Sequence, residues 1–464
     1  MKTKDININT YLNKATRLIS VIFIVLWVSI IFSEFWHYDP GYSKSLKLFQ
    51  YYDLLGIIFG IGFGFIWLLK KNKNKSFKYI NGLNVFFGLL LLNCISISFF
   101  YGKISNIDLH FFGLLSHLWQ FIVVAFYVFL VYLVIRLLGV LFTSSLPLRV
   151  EEKDLPIIQI AIGLLILTSI LFFLGTIGML YGFVLIPISV TVLALYWRQT
   201  IQVIRNTCLT TIKIPKELNA IGVFSFLILS LFLVLNFVLI IRPFPMGSDA
   251  LNLYVNLPSL LSKNHSLVQG NQPYNWSLFM SVGSVVFDRI DVVLALSYLG
   301  GLLSLFALFR ISRKWLDVNY SAFVLLLFYS TPMINFLSYL DMKIDMGLLF
   351  ITLTTLLLYY NWAVPINNAK KTTLVKGIGL VKANAFFTKR IPDILKQNHL
   401  LVIIGLLVGY GFGVKMTVLF FFFALHCSIW YLKGGKLTFL ASFVLCFATV
   451  FLLKLDVQPG LRQF

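Results

Sequence analysis

The sequence has little charge, and its acidic residues are far fewer than its basic ones. Only 12% of its 464 residues are charged, with 17 acidic against 38 basic side chains. A soluble globular domain carries about 25% charged residues, so this composition excludes a soluble protein. Hydrophobic residues make up 59% of the chain, and apolar runs long enough to cross a bilayer recur along its whole length.

Cysteine is also rare. The four cysteines show neither a CxxC motif nor a Cys/His spacing typical of zinc sites, so we predict no disulfide framework and no structural zinc. The net charge of +21 comes from Lys and Arg in short loops between apolar runs. We interpret them as topology signals that are attracted to anionic lipid, and we expect no nucleic-acid partner.

The apolar runs predict an all-α polytopic membrane protein with about 12 or 13 transmembrane helices, because lipid offers no partner for backbone polar groups. The first run lacks a small-residue cleavage site, so we expect a retained helix. The predicted spans are 17–36, 53–70, 82–101, 117–142, 156–174, 178–197, 220–241, 291–310, 319–338, 345–362, 399–415, 416–432 and 437–455.

Loop charge predicts the orientation. Clusters of Lys and Arg follow the second, sixth, eighth and tenth predicted spans, which places these loops and the N-terminus in the cytoplasm. Residues 242–290 then form one long extracytoplasmic loop, whose mixed polar and aromatic residues predict short interfacial helices. The run 400–432 is too long for one span, so we expect a break near Gly409–Lys415 with Lys415 at its outer tip.

The outer loop carries a candidate catalytic carboxylate. Asp249 follows the seventh predicted span, close to Arg242, and Tyr254 and His265 come later in the same loop. A carboxylate here could act as a general base towards an acceptor hydroxyl. Asp249 could also cap a short helix that begins at Ala250, and the residues leave both interpretations open.

Two further features lie at predicted outer helix ends. Asp341, Lys343 and Asp345 form a cluster whose acids are four residues apart, either a local ion pair or a second acidic site for an acceptor or a divalent metal. Lys415 follows Gly409 and Gly413. It either extends towards the interface or binds a lipid phosphate together with backbone N–H groups freed at the helix break.

Taken in order, these pieces resemble the GT-C superfamily of integral membrane glycosyltransferases, especially bacterial relatives of protein O-mannosyltransferases and of the lipid A aminoarabinose transferase. The resemblance covers about 220–455 and lies in the acidic motif from Asp249 to Tyr254, the later acids Asp341 and Asp345, and the glycines before Lys415. Seven predicted spans precede the acidic loop, whereas the family usually has one. Residues 1–219 are therefore expected to be an added N-terminal membrane module of about six helices, and residues 220–464 the GT-C-like catalytic domain.

The resemblance implies transfer of a sugar from a polyprenyl-phosphate-linked donor, with inversion, on the outer face of the bacterial cytoplasmic membrane. The acceptor would be a cell-envelope glycan, lipid or protein. No cofactor is implied with certainty, and a divalent metal stays open. The resemblance implies Asp249 as base, Asp341 and Asp345 as auxiliary catalytic residues, and Lys415 as a contact to the donor phosphate. We also predict that Arg242, Tyr254, His265 and Lys343 bind substrate.

Three alternative functions stay open. A transporter or flippase of lipid-linked saccharides would place charged residues along a central path inside many spans. A polymerase or ligase of lipid-linked glycan would rely on Arg and His in outer loops, where Arg242 and His265 are available. A non-catalytic subunit of envelope assembly would need none of these side chains.

Overall fold

The computed structural model describes residues 79–92, 111–146, 148, 150–209, 212–213, 218–240, 254–268, 275–331, 333–334, 337, 343–363, 399–418, 421 and 423–425. Within these ranges the chain is a bundle of helices with one two-residue antiparallel bridge between β1 and β2, which confirms the predicted all-α class. The elements are β1 (Tyr79–Ile80), α1 (Gly82–Leu92), α2 (Phe111–Ser144), α3 (Leu155–Thr176), α4 (Gly182–Leu195), α5 (Trp197–Ile204), β2 (Ile212–Lys213), α6 (Ala220–Ile240), α7 (Asn256–Asn264), α8 (Asn275–Met280), α9 (Val282–Phe287), α10 (Ile290–Ser312), α11 (Val318–Ser330), α12 (Asp345–Ala363) and α13 (His399–Val414).

Four helices in the described part of the chain are long and apolar enough to cross a membrane. They are Leu118–Ser144 within α2, together with α3, α10 and α12, and they confirm the spans predicted at 117–142, 156–174, 291–310 and 345–362. A fifth span arises if α4 and the helix that follows it count as one, although the two are bent by 88°. The chain is therefore a membrane protein with several spans.

Other predicted spans correspond to apolar helices that differ mainly in where they end. α6 matches 220–241, α13 matches 399–415, and α1 covers the first half of 82–101. α11 ends at Ser330, well before the predicted 338, because Pro332 follows closely and disfavours helix in the residue before it. The spans predicted at 17–36, 53–70 and 437–455 lie outside the described residues, as does most of 416–432.

One large hydrophobic cluster forms the core and draws on helices from both sides of residue 220. It contains buried side chains of α2, α3 and α4 together with those of α10, α12 and α13. Trp276 of α8 is fully buried in it. Helices of the predicted N-terminal module therefore pack directly against helices of the predicted catalytic domain.

Buried polar contacts join helices inside this apolar bundle. Arg136 of α2 donates a hydrogen bond to the side-chain oxygen of Gln159 on α3. Farther along the bundle, Asn236 donates to the Tyr329 hydroxyl at 2.7 Å, and Tyr329 donates to the Tyr298 hydroxyl at 3.3 Å. In an apolar surrounding each polar group needs such a partner, so these contacts fix how α6, α10 and α11 meet.

The helix directions define two ends of the bundle. Arg310 and Asn361, in the last turns of α10 and α12, both contact Asp154 just before α3. This shared contact shows that α10 and α12 run in the same direction. Asp345, the first residue of α12, contacts Lys415 just after α13. Asn361 follows Asp345 by 16 positions, which is about 24 Å of helix. We call these the Asp154 end and the Lys415 end.

Candidate functional site

Two of the sequence-predicted site residues meet at the Lys415 end. Lys415 Nζ lies 2.6 Å from Asp345 Oδ1, although 70 positions separate the residues in the chain. The side chains are 36% and 26% exposed, respectively, so the pair sits at the boundary of the bundle. The second carboxylate oxygen, Asp345 Oδ2, is buried and has no hydrogen-bond partner among the described residues.

Helix termini place the two charges favourably. Asp345 is the first residue of α12, and Lys415 directly follows the last residue of α13. A carboxylate is stabilised near a helix N-terminus and an ammonium near a helix C-terminus, each by about 0.3–1 kcal/mol at exposed sites. Both macrodipoles therefore support the ion pair, which holds the start of α12 against the end of α13.

The predicted helix break is confirmed, but the N–H group of Lys415 itself is not freed by it. α13 ends at Val414, and the free backbone groups at a helix C-terminus are carbonyls rather than N–H groups. The Lys415 N–H itself donates to the Gly411 carbonyl at 2.9 Å. The charged group that Lys415 offers to an anion is therefore its ammonium, and helical residues resume at Val418.

The start of α8, in the predicted outer loop, fixes the end of α13. Asn275, the first residue of α8, donates from Nδ2 to the Tyr410 carbonyl at 3.3 Å. A Cβ at position 413 would lie 2.1 Å from this same nitrogen, so only glycine at 413 leaves room for the amide. Asn275 therefore packs against the end of α13 at Gly413, two residues before Lys415.

Trp276 fixes the start of α12 in the same way. A Cβ at position 347 would lie 2.1 Å from Trp276 Cδ2, which means that the indole ring packs directly on the backbone at Gly347, two residues after Asp345. Trp276 Nε1 is buried and has no hydrogen-bond partner in the described part of the chain. Asn275 and Trp276 together lock the two helix ends that carry the ion pair.

The loop that we predicted to be extracytoplasmic and interfacial has a buried part. Its described residues form the short helices α7, α8 and α9, as predicted, but all six residues of α8 are buried in the bundle. The interleaving of polar and aromatic residues, which we interpreted as a membrane-surface pattern, does not distinguish a surface helix from this short buried helix. Packing against α3, α10 and α13 decides its position.

His265 fastens the loop to the bundle instead of joining the ion pair. It has a left-handed backbone with φ of 54°, and its ring stacks on Tyr181 with centroids 3.8 Å apart. Its carbonyl accepts a hydrogen bond from the Leu180 N–H at 2.9 Å. Tyr254 packs, partly buried, against the main hydrophobic cluster.

The other predicted site residues are only partly covered by the structure. Arg242, Asp249 and Asp341 lie outside the described residues. Lys343 is described and half-buried, two positions before Asp345. No group of three or more His, Cys, Asp or Glu in the described ranges could hold a metal ion, and Asp345 is the one predicted catalytic acid that these ranges include.

One more ion pair lies at the Lys415 end. Arg289, just before α10, donates from Nε to Asp291 Oδ1 at 2.9 Å. This hydrogen bond to Asp291 raises the pKa of Arg289 above its ordinary value, against the opposing effect of partial burial. The two charges satisfy one another within a single helix turn, so they add no unpaired charge to this end of the bundle.

A larger charged cluster lies at the Asp154 end and was not predicted from the sequence. The fully buried Asp154 accepts hydrogen bonds from Arg310 at 2.8 Å, Lys314 at 2.6 Å and Asn361 at 3.1 Å. Glu151 adds a contact of 2.9 Å to Lys314. We call these five residues the Asp154 cluster, and its two acids balance its two bases.

A signal for this cluster was present in the sequence. Arg310 and Lys314 are four residues apart, which places them on one face of a helix, and we interpreted them only as topology signals. Nothing in the spacing points to Asp154, which is 156 positions away from Arg310.

Comparisons of the chain with protein-family models, with curated proteins and with solved structures find no match. The described residues establish a helical membrane protein with a half-exposed ion pair at one end of its bundle and a buried ion-pair cluster at the other. A function has to be inferred from these two arrangements.

Proposed function

We propose that the protein is a membrane glycosyltransferase of the GT-C type, which transfers a sugar from a polyprenyl-phosphate-linked donor to a cell-envelope acceptor on the outer face of the membrane. The observation that carries this proposal is the contact of 2.6 Å between Asp345 and Lys415. Two residues chosen separately for their resemblance to the family come from different helices and meet at one end of the bundle.

The surroundings of this pair support a site for a phosphate-bearing lipid. The Lys415 side chain is 36% exposed, so a phosphate can approach it from outside the bundle. The neighbouring α8 belongs to the predicted outer loop and packs on both helix ends through Asn275 and Trp276. The loop that carries the proposed base is thereby anchored at the proposed donor site.

In the proposed reaction the acceptor hydroxyl loses its proton to the Asp249 carboxylate as its oxygen attacks the anomeric carbon. The bond from that carbon to the donor phosphate oxygen breaks, and polyprenyl phosphate leaves with both electrons of the bond. Lys415 binds the phosphate, whose negative charge grows as the bond breaks. Asp345 orients the ammonium, and the rate gain comes mainly from alignment of the reacting groups.

The test is the release of polyprenyl phosphate from a polyprenyl-phosphate sugar by the purified protein. We expect release by the parent protein and a loss of about 100-fold or more in Asp249→Asn, since a positioned general base contributes about 10²–10⁴-fold. Asp288→Asn is a matched control in the same loop, because Asp288 is exposed and has a left-handed φ of 50° that asparagine also adopts. Full activity of Asp249→Asn would remove the proposed base.

A transporter of lipid-linked saccharides is the second candidate, because ion pairs join helices at both ends of the bundle. Such contacts could open alternately to admit a lipid-linked sugar from either side. In vesicles, a transporter would move the intact lipid-linked saccharide across the bilayer without releasing polyprenyl phosphate. The glycosyltransferase would release polyprenyl phosphate in an acceptor-dependent way, so the two readouts separate the candidates.

A further inference from the structure

We propose that α5 and the residues that follow it form a membrane-interface surface that binds anionic phospholipid headgroups. This inference is independent of the proposed glycosyltransferase. It starts from the bend of 88° between α4 and the helix Trp197–Leu209. With α4 along the bilayer normal, a helix nearly perpendicular to it runs parallel to the membrane plane.

The exposed side chains of α4 support its position against lipid. α4 has one buried residue, Leu185, and apolar groups dominate the rest of its surface. Phe183 is 70% exposed and Leu195 is 72% exposed. An apolar helix with so much outward-facing hydrocarbon needs lipid around it, and Leu195 is its last residue before the bend.

The exposed side chains of α5 and of the residue after it change from apolar to basic to polar around the helix axis. At about 100° per residue, the exposed Trp197 and Ile201 lie along one edge of the exposed face. The exposed Arg198 and Arg205, the latter in the residue directly after α5, come next, and Gln202 lies towards the far edge. An order of apolar, basic and polar side chains across one face matches the order of hydrocarbon, headgroups and water at a membrane surface.

The opposite side of α5 holds it against the bundle. Val203 is only 6% exposed, and α5 contacts α2. Since one side is buried and the other exposed, the helix cannot rotate to present a different face. Arg198 also lies over the ring of Trp197, with its guanidinium carbon 5.6 Å from the ring centroid, which keeps that charge beside the apolar edge.

Charge selects the kind of lipid. No acidic residue occurs between Leu155 and Lys216, whereas Arg198, Arg205, Lys213 and Lys216 all fall in this stretch. Arginine forms bidentate contacts with phosphate, and an amphipathic basic helix with tryptophan at its apolar edge favours anionic over zwitterionic membranes. The partner is therefore an anionic headgroup layer such as phosphatidylglycerol.

The test uses quenching by brominated lipid. A bimane label on Ile201→Cys, in a chain with its native cysteines replaced by alanine, reports lipid beside α5. The protein is reconstituted in phosphatidylcholine that contains an equal mole fraction of either brominated phosphatidylglycerol or brominated phosphatidylcholine. We expect the anionic lipid to quench the label about three- to fivefold more effectively, with the preference falling as salt is raised.

Matched variants identify the charges responsible. The double variant Arg198→Gln/Arg205→Gln should remove the preference, whereas Arg198→Lys/Arg205→Lys should keep most of it. A label on Phe183→Cys, on the apolar surface of α4, should be quenched equally by both lipids in every variant, which also shows that the fold is retained. Equal quenching at Ile201→Cys in the parent protein, or no quenching by either lipid, would overturn the proposal.

Discussion

At its last turn α12 contributes Asn361 to the buried Asp154 cluster, whereas at its first residue it contributes Asp345 to the half-exposed pair with Lys415. In the cluster, Asp154 is fully buried and the side chains of Arg310 and Lys314 are 11% and 5% exposed. In the pair, more than a third of Lys415 is exposed. One helix thus carries two kinds of charged contact about 24 Å apart.

The difference lies in how many partners each charge has. Asp154 accepts from three side chains, so its oxygens are already occupied. Asp345 has one donor, and its Oδ2 has no partner among the described residues. A saturated buried cluster joins helices, whereas a pair with a partly exposed lysine side chain can exchange partners with a ligand. This contrast is why we place the proposed donor site at the Lys415 end.

The largest expected effect comes from breaking the buried cluster. Asp154→Asn leaves Arg310 and Lys314 buried with only Glu151 to balance them. Removal of one partner from a buried ion pair costs about 3–5 kcal/mol, so we expect a loss of stability of this size, measured as a lowered midpoint of thermal unfolding in detergent.

Glu152→Gln is the matched control for this change, because Glu152 is the same kind of side chain, two residues away and exposed. It should leave the unfolding midpoint unchanged. If Asp154→Asn also unfolded at the parent's midpoint, the Asp154 cluster would not hold the helices together and the contrast between the two ends would fail.

A smaller effect is expected where Trp276 packs on α12. Gly347→Ala places a methyl group where the indole ring lies, and overpacking of this kind costs about 1–3 kcal/mol. Gly88→Ala is the control, since no atom lies within 4 Å of its added Cβ. In a chain that already carries Trp276→Leu, Gly347→Ala should cost less stability than it does in the parent protein. Strictly additive losses of stability would show that the two positions do not touch.

The smallest change in stability is expected at the Lys415 pair. Exposed ion pairs contribute about 0–1 kcal/mol, so Lys415→Ala should unfold close to the parent. Its apparent KM for the lipid-linked donor should rise about tenfold, because a charge-assisted contact to phosphate is lost. Lys153→Ala, which removes an exposed lysine at the Asp154 end, should change neither quantity.

Two results would contradict this picture of the pair. An unchanged donor KM in Lys415→Ala would remove Lys415 from the donor site. A loss of stability as large as that of Asp154→Asn would show that the pair is a structural contact of the same class as the buried cluster.

Much of the helical framework could be predicted from sequence. The runs at 117–142, 156–174, 291–310 and 345–362 all became long apolar helices, and the break expected near Gly409–Lys415 falls at Val414. Less of the site could be predicted. Asp345 and Lys415 were predicted separately, and neither the Asp154 cluster nor the buried position of α8 was predicted. The spacing of residues along the sequence shows which side chains share a face of one helix, but it does not show which helices pack together.

By itself, the sequence determined that this chain spans a membrane as helices. Long apolar runs with few charges can satisfy their backbone hydrogen bonds in lipid only within each helix, and that requirement is local. Tertiary structure alone decided which charges meet, since Asp154 and Arg310 lie 156 positions apart and Asp345 and Lys415 lie 70 apart. A buried charge needs a partner of opposite charge, and only the packed bundle brings such distant residues together.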